Sequence, residues 1–461
     1  MTRLKQETNS DSETSWDLSK KIFAMAWPNI LYALLDRSMG LVDMWLAGDL
    51  SADAIAAVGL SQQILFLIII LTIALTSGAM PLIGQHLGNK NMSMVKHCSA
   101  QILRGMVLCS FLLIPLLFFF AGPMLRLLKG NEEVVRLGLD YLQPMALGLT
   151  FVFINFTMVI LFRSVGRVRT PLLVLLLMLI VNVPVSYFLL KGVEGLIPAM
   201  GMSGIAIGTI TGRLIGTVLL IVIWLKIMKK EETKSSSFLD MEFFKQVLSI
   251  GLPIALMNFV RSGAQVVFFT IFAGISSVAL AATSITYQLR MLLLMSTLMI
   301  HQALITLVSQ SLGEGDKEKA KRYVWQTQLW ANILMGVVAV VMIFFSEDVV
   351  RGICSLSQQV DSAALVETSS KMIRIALCAQ IFITLAIVFG AALTAGGDVK
   401  MPFVFTCISE WVIMIPCAFI LANYYADEPH LIWYAFVISP FFLTLCYYHR
   451  FRQNKWQNKL V

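Results

Sequence analysis

The sequence predicts an all-α integral membrane protein, with twelve transmembrane helices in two six-helix lobes related by pseudo-twofold symmetry along the membrane normal. Three observations predict it. Hydrophobic residues make up 58% of the chain and charged ones 13%, whereas soluble domains average about 45–50% apolar and about 25% charged. Apolar runs of about 20 residues, the length that crosses a bilayer's hydrocarbon, recur along the chain, whose mean hydropathy is +0.80. The first half of the sequence also repeats in the second. Strict alternation of apolar and polar residues is missing, which argues against a membrane β-barrel.

The runs fall near residues 22–47, 54–87, 94–121, 138–162, 170–190, 200–227, 246–273, 278–312, 323–345, 372–394, 401–423 and 431–448. Around them, residues 1–20 read as a loosely ordered cytoplasmic tail without the apolar core of a cleavable signal. Residues 21–228 form the N-terminal lobe and 246–448 the C-terminal lobe, joined by a polar cytoplasmic linker, 229–245, and followed by a short tail, 449–461.

The net charge of +8 would suggest a nucleic-acid partner in a soluble protein. Here 23 Lys and Arg lie in segments on the side of the N-terminus and six on the opposite side. That is the positive-inside bias, and it puts both termini in the cytoplasm of a multi-pass plasma-membrane protein that binds no nucleic acid. Seven scattered cysteines without CxxC spacing argue against a disulfide frame or a zinc site.

Sliding one half on the other by 225 residues pairs Pro28 with Pro253, Ser51 with Ser276, Gln63 with Gln288 and "QHLG" (85–88) with "QSLG" (310–313). Over 28–88 this gives 14 identities in 61 ungapped positions. Later, "GRVRTP" (166–171) faces "GDVKMP" (397–402) at an offset of 231. Six spans is an even number, so the halves enter from the same side, a parallel repeat often used by secondary transporters. No phosphate-binding GxxxxGK[ST] loop is present, and no HExxH or GxSxG motif points to an enzyme. No cofactor is expected, and an ion gradient remains as the power source.

Such coupling needs a titratable or cation-holding group inside the membrane, where charge is costly and usually functional. On the first span Asp36 and Asp43 are two helical turns apart and share a face. From an entry near Trp27, Asp43 lies roughly 24 Å along the helix at about 1.5 Å per residue. Asn182 and Ser186 share a face of the fifth span, about 17 and 23 Å from Pro171, and Thr209 on the sixth comes to a similar depth. Carboxylate, amide and hydroxyl oxygens at matched depth are a candidate site for a proton or for sodium, the latter at Asp43 and Asn182. Mutual satisfaction between packed helices is the plainer role for such groups.

With this combination the sequence resembles the multidrug and toxic compound extrusion (MATE) family. Pro28 fifteen residues before Asp43, then "VDMWLAGDLSADAIAAVG", is similar to that family's first-helix signature, and "PLIGQHLG", "LVSQSLG", "FRSVGRVRTP", "LTAGGDVKMP" and "NVPVSYFLLKG…GMSGIAIGT" resemble its later ones. The resemblance implies export of bulky organic compounds in exchange for protons or sodium, within a MOP flippase superfamily layout. It makes Asp43 the coupling carboxylate, Asn182 and Thr209 its supporting ligands, and Pro28 the bend point of the first helix. Ser186 stands where many relatives carry a second carboxylate. Arg261 stands where the sodium-driven branch has Glu, and Ile383 where that branch has Asp.

Arg261 aligns with Asp36 across the repeat, so an ion pair between the lobes that forms in one conformational state and separates in the other is one expectation, against local neutralisation of Asp36 by Arg37. Asp36, Arg261, Asn155 and His301 are the candidate cargo-lining residues. With no acidic residue expected near Arg261, the cargo is expected to be a small anionic or zwitterionic organic molecule, carried by a monomer whose other partner is membrane lipid. The alternative is a flippase for a lipid-linked saccharide or other amphiphile, for which Arg37, Arg213, Arg261 and Arg290 would meet phosphates.

Overall fold

A computed structural model describes residues 14–193, 198–229, 238–356, 363–457 and 460. The first thirteen residues of the expected tail and most of the expected linker, 230–237, lie outside the described residues. The twelve apolar runs become helices in order: α1 (Ser15–Gly48), α2 (Ala52–Gly88), α3 (Met92–Leu127), α4 (Glu132–Leu147) with α5 (Leu149–Ser164), α6 (Arg169–Lys191) and α7 (Met202–Met228). The second set is α8 (Met241–Ala273), α9 (Ser277–Glu314), α10 (Lys317–Phe344), the short α11 (Ser346–Leu356) and α12 (Ala363–Ala395). It ends with α13 (Lys400–Cys407), a π-helical turn (Ile408–Met414), α14 (Ile415–Tyr424) and α15 (Ala435–Arg452).

Among the described residues ten helices are long and apolar enough to cross a membrane, and α4 with α5 makes an eleventh, bent by 59°. The twelfth is α1, whose second half carries Asp36, Arg37 and Asp43. The α4–α5 bend has a local cause. Pro144 supplies no N–H to the helix ladder and Gly148 follows one turn later, the combination that breaks a helix.

The repeat has a physical basis in its helix starts. Ser51 and Ser276 are both extended N-caps, each accepting from the N–H three residues on, Ala54 and Ala279, at 3.0 Å. Asn91 and Asp316, also 225 apart, cap α3 and α10 in the same way. Such caps satisfy donors that a helix start otherwise leaves unpaired.

Two compact units result: Trp27–Leu252, here the N-unit, and Met1–Ala26 with Pro253–Val461, the C-unit. The changeovers fall inside α1 and α8, beside Pro28 and Pro253. Helix α1 begins at Ser15, within the stretch expected to be a loose tail. Thr14 and Asp17 exchange hydrogen bonds there as a capping box. Trp330 Nε1 on α10 donates to Ser19 Oγ at 2.8 Å, and Leu18 is fully buried. Within the N-unit the start of α8 is held by Asp240, whose carboxylate meets His97 Nε2 at 3.1 Å and whose N–H donates to Gln101 Oε1 at 3.0 Å.

Helices α6 and α7 pack along a stripe of glycines, Gly204, Gly208, Gly212 and Gly216, one per turn of α7. A Cβ on Gly208 would sit 2.1 Å from Ser186 Oγ, and one on Gly212 3.2 Å from Asn182 Cβ. Small residues at this spacing let membrane helices approach backbone to backbone. The close approach brings α6 side chains within reach of α7.

Candidate functional site

Asp43 is 2% exposed on α1. Thr209 on α7 donates its hydroxyl to Asp43 Oδ1 at 2.9 Å, and lies 3.2 Å from Oδ2. Asn182 Nδ2 donates to Thr209 Oγ1 at 2.9 Å and to Ser186 Oγ at 3.2 Å. The Ser186 hydroxyl reaches the carbonyl of Ile205 at 3.3 Å. The structure thus brings Asp43, Asn182, Ser186 and Thr209 into one buried hydrogen-bonded chain.

Tyr141 on α4 completes it, donating to Asp43 Oδ2 at 2.7 Å. Sequence reasoning missed this residue. Its signal was a lone hydroxyl within an apolar span, weaker than the charge that drew attention to Asp43. Asn182 Oδ1 is buried without a hydrogen-bond partner. An orphaned acceptor beside a carboxylate and two hydroxyls is an oxygen-rich spot that fits a water, a donated proton or a small hard cation.

Lower on α1, Asp36 Oδ1 accepts from Arg213 Nη2 at 2.9 Å, and Arg213 Nη1 donates to Asn155 Oδ1 at 3.3 Å. Arg213 sits one turn along α7 from Thr209, close enough for its charge to act on Asp43. Asp36 therefore finds a counter-charge in Arg213, on α7 of the same unit. Arg163 stacks over Tyr32, with its guanidinium carbon 5.0 Å from the ring centre.

In the C-unit, Arg261 Nε lies 3.8 Å from Glu410 Oε1. This corrects the expectation that no carboxylate is near Arg261. That expectation considered the seventh and tenth spans, and Ile383 on α12 is indeed apolar and buried. The acid comes instead from the π turn on the eleventh. Asp36 and Arg261 thus each face an opposite charge inside their own unit. His301 on α9 lies within electrostatic reach of Arg261 and has no part in the Asp43 chain.

Similarity to known proteins follows the same two-part division. The MatE family model matches residues 28–188 and again 253–420, two blocks that begin at the paired prolines. The chain is 25% identical over 445 residues to the "Uncharacterized transporter YisQ" of Bacillus subtilis, covering 96% of each. It is 25% identical over 454 residues to the "Probable multidrug resistance protein NorM" of Thermotoga maritima, covering 96% of this chain and 94% of the relative. In three dimensions it matches the Vibrio cholerae MATE transporter VcmN in its bent form with a TM-score of 0.86 at 17% identity, covering 96% of this chain and 99% of that one. The double match over most of the chain and the multi-pass helical fold lead to one conclusion: the chain belongs to the MATE family of membrane transporters.

Proposed function

We propose that this transporter exports small organic compounds across the plasma membrane in exchange for an incoming cation, with Asp43 as the coupling carboxylate. The observation that carries the reading is a carboxylate 2% exposed inside a span and held by hydroxyls from two other helices. A deprotonated Asp43 can accept from both Tyr141 and Thr209. Protonation removes the charge that strengthens both hydrogen bonds and turns one oxygen into a donor that needs an acceptor of its own. Loading a proton therefore changes what ties α1 to α4 and α7, which is the kind of differential contact that shifts a conformational equilibrium.

Sodium is the alternative ion, with Asp43, Asn182 Oδ1 and the Thr209 and Ser186 hydroxyl oxygens as its ligands. That set offers one carboxylate, and both hydroxyls that meet Asp43 already point their protons at it, so the proton is the better match. Drugs as cargo are supported by the relatives named multidrug resistance proteins. The flippase reading is weakened because one of its four arginines, Arg213, is already closely paired with a carboxylate, that of Asp36. Efflux of a fluorescent dye from cells or its uptake into inside-out vesicles, under an imposed proton or sodium gradient, tests the proposal. Full gradient-driven transport by Asp43→Asn refutes the coupling assignment.

A further inference from the structure

The C-unit holds a second intramembrane charge centre that takes no part in the Asp43 chain. Three groups from three helices make it: Arg261 on α8, Arg290 on α9 and Glu410 on the π turn. Glu410 lies within electrostatic reach of both guanidinium groups. The pairing is loose, at 3.8 Å to Arg261 Nε, beyond hydrogen-bonding distance.

Arg290 is held by Tyr287, through the hydroxyl as well as the ring. Its guanidinium lies between two rings, 4.7 Å from the centre of Tyr287 and 4.6 Å from that of Phe436. Its Nε is buried without a hydrogen-bond partner. Cation–π contact places a guanidinium and offsets part of its charge, but leaves its edge N–H groups as donors. The Arg261 side chain is 41% exposed while Glu410 is 16% exposed. A cation well inside a spanning helix and open to its surroundings is costly against lipid, and such residues face a polar space or a ligand instead.

The local backbone serves this arrangement. Pro416 has no N–H to give residue 412, and the ladder upstream of it widens to the π turn, with Ile415 N–H bonding to Glu410 C=O. Trp411 Nε1 donates to the Val260 carbonyl at 3.1 Å, fastening the turn beside Arg261. Single π turns of this kind are frequent at functional sites.

We propose that Arg261 and Arg290 form a cargo subsite for an aromatic carboxylate, with Glu410 as the resident counter-charge that holds the arginines when no cargo is bound. The cargo carboxylate supplies the acceptor that Glu410, at its distance, does not, and the rings of Tyr287, Phe436 and Trp411 supply an apolar aromatic wall. The subsite rests on the exporter reading and names its cargo class. Cationic compounds without a carboxylate gain nothing there.

Fluorescein and rhodamine 6G share a xanthene body and differ in charge, the first a carboxylate anion and the second a cationic ester. Fluorescence polarisation with the purified full-length protein in nanodiscs reads both. Fluorescein binds the native protein, and Arg261→Gln and Arg290→Gln each weaken it about tenfold or more, while Glu410→Gln tightens it. Rhodamine 6G affinity holds or rises in both arginine variants. Arg290→Lys, which keeps the charge but lacks the planar fork, recovers fluorescein binding only in part. No binding of fluorescein to the native protein overturns the proposal. So does native-like fluorescein binding by both Gln variants, or an equal loss of both dyes in variants that elute as folded monodisperse protein. The measurement involves no ion gradient, so its failure leaves the Asp43 assignment standing, and failure of Asp43→Asn to block transport leaves the subsite standing.

Discussion

Where the N-unit carries Asp43, the repeat puts Phe268 in the C-unit, and where it carries Asp36, the repeat puts Arg261. Phe268 is buried among aromatic rings, edge-on to Trp433 with centres 5.5 Å apart. One framework thus holds two kinds of interior. The N-unit has a tight centre, with Asp43 held by Tyr141 and Thr209, and Asn182 Nδ2 by Thr209 and Ser186, at 2.7–3.2 Å. The C-unit has a loose one, with two cations, one distant carboxylate and stacked rings. A tight centre suits an ion that must be desolvated and held by few atoms. A loose aromatic one suits cargo of variable shape, because rings and unspent donors adapt where a closed network cannot. The lesson is that duplicated helices with matching caps need not carry duplicated chemistry.

The largest effect expected from this contrast is functional. Asp43→Asn reduces gradient-driven efflux to the level of empty vesicles, while Glu410→Gln keeps coupling and alters only which dyes are carried. If Glu410→Gln abolishes coupling as completely as Asp43→Asn, the division of labour between the units fails.

Next in size is the Asp36–Arg213 pair, which lies in the N-unit below Asp43. Arg213→Gln leaves a half-buried carboxylate without its partner and costs about 2–4 kcal/mol, read as a lower melting temperature in detergent. Adding Asp36→Asn removes the stranded charge and restores much of the loss. Arg261→Gln deprives Glu410 only of a cation 3.8 Å away, so its stability cost is smaller. An equal cost for the two arginines would mean that one centre is not tighter than the other.

Steric closeness separates two glycines, one from each unit, in the same way. Gly208→Val puts bulk where Ser186 Oγ would be 2.1 Å from the new Cβ, forcing α6 and α7 apart at a cost of about 1–3 kcal/mol. Asn182 and Thr209 then separate, so coupling falls together with stability. Gly336→Val on α10, where a Cβ meets nothing within 4 Å, is expected to be silent in both assays.

Most of the framework was legible from hydropathy, because lipid-facing spans must be apolar for about 20 residues and few other patterns are. Asp43, Asn182, Ser186 and Thr209 were legible because polar groups at equal depth in such spans stand out. Three things were not. Tyr141 is amphipathic, and nothing in its neighbours says which way its hydroxyl points. Glu410 belongs to a π turn, which shifts the face a residue presents and defeats 3.6-residue counting. The start of α1 was read as tail although "TSWD" is a capping-box pattern, since the polar composition of residues 1–20 outweighed four residues of cap.

The smallest effect concerns what ties the two changeover helices to a neighbouring helix, neutral groups for α1 and a carboxylate for α8. Ser19 holds α1 to Trp330 within the C-unit, whereas Asp240 holds the start of α8 to α3 within the N-unit. Outside the spans, Asp240 is kept below its ordinary value of 3.8 chiefly by the N–H of Phe243, with His97 adding to it. A carboxyl lowered on folding stabilises the folded state fully above its unfolded value, and that contribution fades as pH falls through the lowered one. Asp240→Asn therefore costs about 1 kcal/mol near neutral pH, and the difference from the native protein shrinks in acid. Ser19→Ala has a cost of similar size with no such pH dependence. Hydrogen exchange at the first turn of α8, compared at pH 7 and below pH 4, reads the contrast directly, and equal protection at both values would show that the carboxylate is not what fastens that turn.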